Sequence, residues 1–423
     1  MPYAILVADP LAPTLAILAL LWLSAKIGGE LAVRLKLPAV AGQLLIGVGL
    51  AALAKTFDKL PNIGESPEAG VIAYIGVILL LFVIGLESSV GQMVKVGWAS
   101  LRVALMGVVA PMILGLVGAY LVLPKGTPYA VDLFIGACLC ATSIAISAQV
   151  MREKGLLDSK SGRVVVGAAV LDDVLGVLVL AAVSSIAAAS CAATDTSAGV
   201  PWGDLGKTLL LALSFLLFAL AVGRWGSPRI FRMASHFKSE ELLLPLALVF
   251  AFVMAYLGSM VGLAAIIGAF AAGLVLEKSH VEPLLKREKH DLESMIHPLV
   301  VTFAPVFFVH TGASIDPSVF LKTEVLAMIG VLTVAGILGK YLCGFVAGSG
   351  FSVSAIGWGM VPRGEIGLVF IAVGREIKDA SGNPFLTPEI QAGVLGAILL
   401  TTIIGPIGLS FALDKSKGDT TVK

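Results

Sequence analysis

Apolar runs of about twenty residues recur along this chain, and a helix of that length crosses a hydrocarbon layer about 30 Å thick. The hydropathy places thirteen runs, near residues 10–25, 38–54, 70–86, 98–123, 130–151, 163–188, 207–223, 242–257, 259–276, 297–313, 323–347, 354–374 and 390–412. Lipid offers no hydrogen bonds, so each run must satisfy its backbone internally, which a helix does. The expectation is an all-α polytopic membrane protein with about 13 transmembrane helices. Composition agrees: 13% of the 423 residues are charged, against about 25% in a soluble domain. The first run leads into further spans without a small-residue cleavage site, so it reads as a span and not as a signal peptide. The longest loops, near 189–206 and 277–296, are too short to fold alone, and the last ten residues read as a solvated tail.

Lys and Arg in short loops mark the cytoplasmic side. With the N-terminus outside, 20 of the 29 basic residues fall inside and 7 outside, while Lys340 and Arg363 fall within spans. That excess predicts an inner (plasma) membrane protein with its N-terminus outside and its C-terminus cytoplasmic. The net charge of +1 gives no argument for a nucleic-acid partner. Cys138, Cys140, Cys191 and Cys343 lack zinc-ligand spacing; three lie in apolar segments and read as packing residues.

Charge inside the membrane is where function concentrates. A charged side chain at the bilayer centre costs at least ~2.5 kcal/mol, and five stand out here: Asp172, Asp173, Lys340, Arg363 and Glu365. With a rise of about 1.5 Å per residue, Asp172 and Arg363 lie roughly 13 Å from the inner edge and Lys340 roughly 10 Å. Three spans thus carry charge at one depth. Two spans also carry breaks there. "CATSIAIS" interrupts the fifth run with Thr142, Ser143 and Ser147, and Pro362 with its neighbouring glycines interrupts the twelfth in "GWGMVPRGEIG". Spans four to six and eleven to thirteen match as triplets with a broken middle helix, seven spans apart and therefore of opposite topology. Such inverted repeats point to a secondary transporter with its site near the midplane.

Plainer roles remain open for several of these residues. Lys340 could serve only as counter-ion to Asp172, Arg363 and Glu365 could neutralise each other and steady the broken helix, and Thr142 and Ser143 could cap freed backbone groups. Adjacent helical residues differ by about 100°, so one partner can hardly serve both Asp172 and Asp173. His310 reads as an interfacial packing residue and Glu87 as a solvated boundary residue.

The stretches "ATSIAISAQVMREKGLLDSKSGRVVVGAAVLDDVLGVLVLA", "LGKYLCG" and "GMVPRGEIGLVF" together resemble the monovalent cation:proton antiporter superfamily, in its bacterial sodium/proton branch of Asp-Asp type. The likeness covers nearly the whole chain. It implies a homodimer in which a six-helix core moves against a dimerisation domain, in an elevator-like alternating-access cycle. The family's ion-binding aspartate maps onto Asp173, the one before it onto Asp172, and the lysine that pairs with the latter onto Lys340; Thr142 and Ser143 correspond to positions flanking the ion. Residues 1–97 are then largely dimerisation spans, 98–188 the first core repeat, 189–296 linking and dimerisation spans, 297–412 span ten with the second core repeat, and 413–423 a cytoplasmic tail. Related potassium efflux systems usually carry glutamine at the position of Asp172 and a cytosolic nucleotide-binding domain absent from this sequence; both differences favour the sodium branch.

The chemistry of the residues points the same way. Na⁺ or Li⁺ wants oxygen ligands, which carboxylates, hydroxyls and freed carbonyls supply, and one buried carboxylate holds a proton or a cation but not both. Competition at that carboxylate couples two fluxes. No ATP-binding loop, metal cluster or nucleophile triad is present in the sequence, so neither a cofactor nor an enzyme activity is expected. The alternatives are K⁺/H⁺ exchange, since Asp-Asp does not fix ion size, and a cation channel, against which the paired broken helices argue.

Overall fold

The computed structural model describes residues 12–35, 37–57, 61–87, 97–192, 226–234, 242–261, 263–276, 291–378 and 382–420, with isolated positions between 210 and 222. Its regular structure is helical, apart from one isolated bridge between Lys378 and Pro384. The helices are α1 (Ala12–Arg34), α2 (Ala39–Thr56), α3 (Pro67–Glu87), α4 (Trp98–Val122), α5 (Tyr129–Cys138), α6 (Ile144–Glu153), α7 (Lys160–Ala192) and α8 (Ser227–Ala234). They continue with α9 (Leu243–Met260), α10 (Ala265–Val275), α11 (Leu292–Ala313), α12 (Thr323–Tyr341), α13 (Val353–Met360), α14 (Glu365–Glu376) and α15 (Pro388–Thr420).

Among the described residues nine helices are long and apolar enough to cross a membrane. The shorter α10 and the interrupted pairs α5/α6 and α13/α14 fall on three further apolar runs of the sequence. Most of the seventh run, 207–223, lies outside the described residues. Hydroxyl caps start several helices: Ser66 and Thr387 accept from the Ala69 and Ile390 amides, each just before a proline in the first helical position.

The chain divides into two compact units, one of residues 1–77 and 299–317 and one of 78–298 and 318–423. In the first, α1 and α2 touch through glycines: a Cβ on Gly28 would meet the Gly42 carbonyl oxygen at 2.5 Å. Trp22 of α1 donates to the Thr302 carbonyl of α11 at 3.0 Å.

In the second unit the two triplets repeat one neighbour pattern. Helix α4 packs on α5 and α7 as α12 packs on α13 and α15; α6 meets α15 as α14 meets α7. The triplets join where α4 lies against α12. There Gly339 abuts Pro111, whose Cα would stand 2.5 Å from any Cβ added to the glycine. Pro111 has no amide proton, so it leaves the Gly107 carbonyl without its helical donor.

Candidate ion-binding site

Both interrupted helices break at the same place. Helix α5 ends at Cys138 and α6 begins at Ile144; α13 ends at Met360 and α14 begins at Glu365. The freed backbone groups of one break are satisfied by the other. Ser143 donates its amide to the Pro362 carbonyl at 2.8 Å, Thr142 its hydroxyl to the Met360 carbonyl at 3.1 Å, and Ser147 its hydroxyl to the Gly359 carbonyl at 2.6 Å. Gly364 permits this approach, since a Cβ there would lie 2.9 Å from the Ser143 Cβ. The Thr142 and Ser147 hydroxyls therefore cap freed carbonyls across the crossing, whereas Ser143 contributes its backbone amide and no side-chain cap.

Arg363 ties the crossing together. Its Nη1 donates to the Leu139 and Ala141 carbonyls, and its Nη2 reaches the Gly336 carbonyl of α12 at 3.1 Å. The Thr402 hydroxyl of α15 donates to the Arg363 carbonyl at 3.0 Å. One planar guanidinium so holds three carbonyl oxygens, two from the α5/α6 break and one from α12, a task suited to its fixed fork of donors. Glu365 heads α14, and its side chain lies outside the described residues.

Beside the crossing lies the buried ion pair. Lys340 Nζ stands 3.0 and 2.9 Å from the two carboxylate oxygens of Asp172, and both side chains are fully enclosed. Helix α4 flanks the pair: a Cβ on Gly107 would lie 3.3 Å from Lys340 Nζ, 3.4 Å from Asp172 Oδ1 and 3.5 Å from Cys343 Sγ. The Thr142 hydroxyl lies near the same carboxylate while donating to the Met360 carbonyl. Asp173, one residue on and about 100° round the helix, is only half-buried. The two acids thus have different surroundings, one locked to a lysine and one more open. Carboxylate, hydroxyl and carbonyl oxygens are thus present beside the crossing, and oxygen donors are the kind that suit a hard cation.

Several features escape a reading of the sequence alone. Gly107 is one of many glycines, and only Pro111 in an otherwise apolar run marks that stretch of α4. Asp132, in the first turn of α5, is a further buried carboxylate, hidden by its place at the edge of its run. His310 lies half-buried in α11, and Glu87 is the last residue of α3.

The family of transmembrane sodium/hydrogen exchangers matches residues 18–415. The chain belongs to that family. It is similar to the high-affinity Na⁺/H⁺ antiporter NhaS3 of Synechocystis, 35% identical with 96% of this chain and 91% of that one covered. The Na⁺/H⁺-K⁺ antiporter GerN of Bacillus cereus is 33% identical over 93% of this chain and 95% of its own. The solved sodium/proton antiporter MjNhaP1 of Methanocaldococcus jannaschii shares the fold, with a TM-score of 0.69 at 21% identity, covering 95% of this chain and 97% of that one. This is a multi-pass membrane protein of antiporter fold.

Proposed function

We propose that this chain is a secondary active transporter, not an enzyme, exchanging Na⁺ or Li⁺ for H⁺ through Asp172 and Asp173. The observation that carries the reading is the enclosed Asp172–Lys340 pair beside half-buried Asp173, next to the crossing of two interrupted helices. A cation entering from Asp173 recruits Asp172, which must release Lys340; the lysine then loses its proton. The loaded site holds Na⁺ and two carboxylates, net −1. On the return Asp173 carries a proton and Lys340 again neutralises Asp172, net 0. Two protons exchange for one cation, and the cycle moves charge. Thr142 and Ser143 line the ion's path, and Arg363 keeps the crossing rigid while the ligands change.

In this reading the second unit's triplets form a core that moves elevator-like against a dimerisation domain, in a homodimer. The protein sits in the inner membrane, N-terminus outside and C-terminus cytoplasmic. The name of the GerN relative favours a second reading, in which K⁺ is also carried. Dissipation of a pH gradient in proteoliposomes on adding Na⁺, Li⁺ or K⁺ ranks the ions. Asp173→Asn, which keeps the side chain's shape, is expected to abolish every cation response; a variant that retains most of the Na⁺-driven proton flux refutes the assignment.

A further inference from the structure

A cavity of about 970 Å³ opens at the end of the second unit where α4 and α7 finish and α5, α12 and α15 begin. Its walls are largely apolar, with Lys322, Glu324 and Glu389 among them, and Lys322 pairs with Glu389 at 2.7 Å. With the N-terminus outside, this vestibule faces the outer solution. Val131 and Phe385 line it, and Phe385 stacks edge-on against Phe134 with ring centres 5.6 Å apart. Asp132 is not itself a wall residue but directly follows Val131 in the chain, 4% exposed, and its Oδ1 has no hydrogen-bond partner among the described residues.

A buried carboxylate kept for packing is normally given donors for its oxygens. Asp132 is not, although a carboxylate within an apolar segment is costly to retain. Helices α4, α7 and α14 pack against α5. Their ionisable groups at this end, among the described residues, are Tyr120 of α4, Cys191 of α7, and Arg375 and Glu376 of α14. Around the vestibule stand Lys322, Glu324 and Glu389. None of these donates a hydrogen bond to Asp132 Oδ1, so the outer solution is the natural supplier of what completes its oxygen. Asp132 also lies seven residues before Leu139, hence roughly 10 Å to the outer side of the crossing.

We propose that Asp132 is a proton-binding site titrated by the outer solution through this vestibule, and that its ionised form draws external cations toward the exchange site. The inference rests on the antiport reading above. A unit charge offset by about 10 Å along the helix, in surroundings of effective dielectric constant about 20, changes cation affinity by up to about tenfold. Ionised at high external pH, Asp132 lowers the KM for external Na⁺; protonated at low external pH, it has no such effect.

The test uses uniformly oriented proteoliposomes with the inner pH clamped and the outer pH varied. Asp132→Asn is expected to raise the external KM by up to about tenfold at high outer pH and to converge on wild type at low outer pH, with kcat unchanged. Asp132→Glu, which keeps the carboxylate, is expected to restore the wild-type profile. A KM for Asp132→Asn that follows wild type at every outer pH overturns the proposal, as does a shift by one constant factor at all pH values. Failure of the antiport reading shows separately, as wild-type protein without cation-driven proton flux.

Discussion

Replacing Lys340 by Gln removes the positive half of a fully enclosed pair whose nitrogen reaches both oxygens of Asp172, at 3.0 and 2.9 Å. The aspartate is left buried without its charge partner, a change worth ~3–5 kcal/mol when the pair is fully buried. Asp172→Asn strands the ammonium and costs a comparable amount. The double variant leaves two neutral amides that hydrogen-bond to each other, so its loss is expected to fall below the sum of the singles by at least ~2 kcal/mol. Thermal unfolding in mild detergent measures all four proteins of this cycle. Transport supplies a second readout: with the lysine's proton gone, surviving exchange in Lys340→Gln becomes one-for-one and insensitive to voltage. Strictly additive losses of stability, or a Lys340→Gln protein with wild-type stability and an undiminished response to an imposed potential, would refute this account of the pair.

Arg363→Lys replaces a three-way fork with one ammonium and leaves at least one buried carbonyl among those of Leu139, Ala141 and Gly336 without a donor, costing ~1–3 kcal/mol in thermal stability. Gly107→Ala is expected to have a small effect, with Lys340 shifting by a few tenths of an ångström because the methyl would stand 3.3 Å from its Nζ, whereas Gly107→Val overpacks the pair by ~1–3 kcal/mol and slows transport; equal transport by the two variants would show the space to be unimportant. Apparent cation affinity is expected to weaken with falling pH by about tenfold per unit where one proton is displaced and by up to about a hundredfold where Asp173 and Lys340 are both protonated, because the slope counts the protons released on binding; a constant affinity across that range would mean separate sites.

The spans were legible because lipid imposes length and apolarity on each one separately, so local sequence suffices. The charges and breaks were legible for the same reason: Asp172 within "AAVLDDVLG" and Pro362 within an apolar run each violate a local rule. Pairings across the chain are another matter. Nothing near Arg363 in sequence indicates that its donors go to carbonyls more than two hundred residues earlier, since only the meeting of the two broken helices brings them together. Ser147 stood out as a polar interruption, yet its carbonyl partner, Gly359, belongs to the other repeat. Gly107 carries no local signal at all, because its role is the space it leaves for side chains from α7 and α12.

Competition of the cation with a proton for Asp173 and with the Lys340 ammonium for Asp172 is the central claim, and proton release from Asp173 and Lys340 on cation binding tests it most directly. Purified protein in weak buffer, near the pH at which exchange is half-maximal, is titrated with NaCl while pH and bound Na⁺ are followed together. The account predicts stoichiometric proton release that saturates with binding and approaches two per Na⁺ where both groups begin protonated, falling to one in Lys340→Gln and to none in Asp173→Asn. Saturable Na⁺ binding without proton release would contradict it.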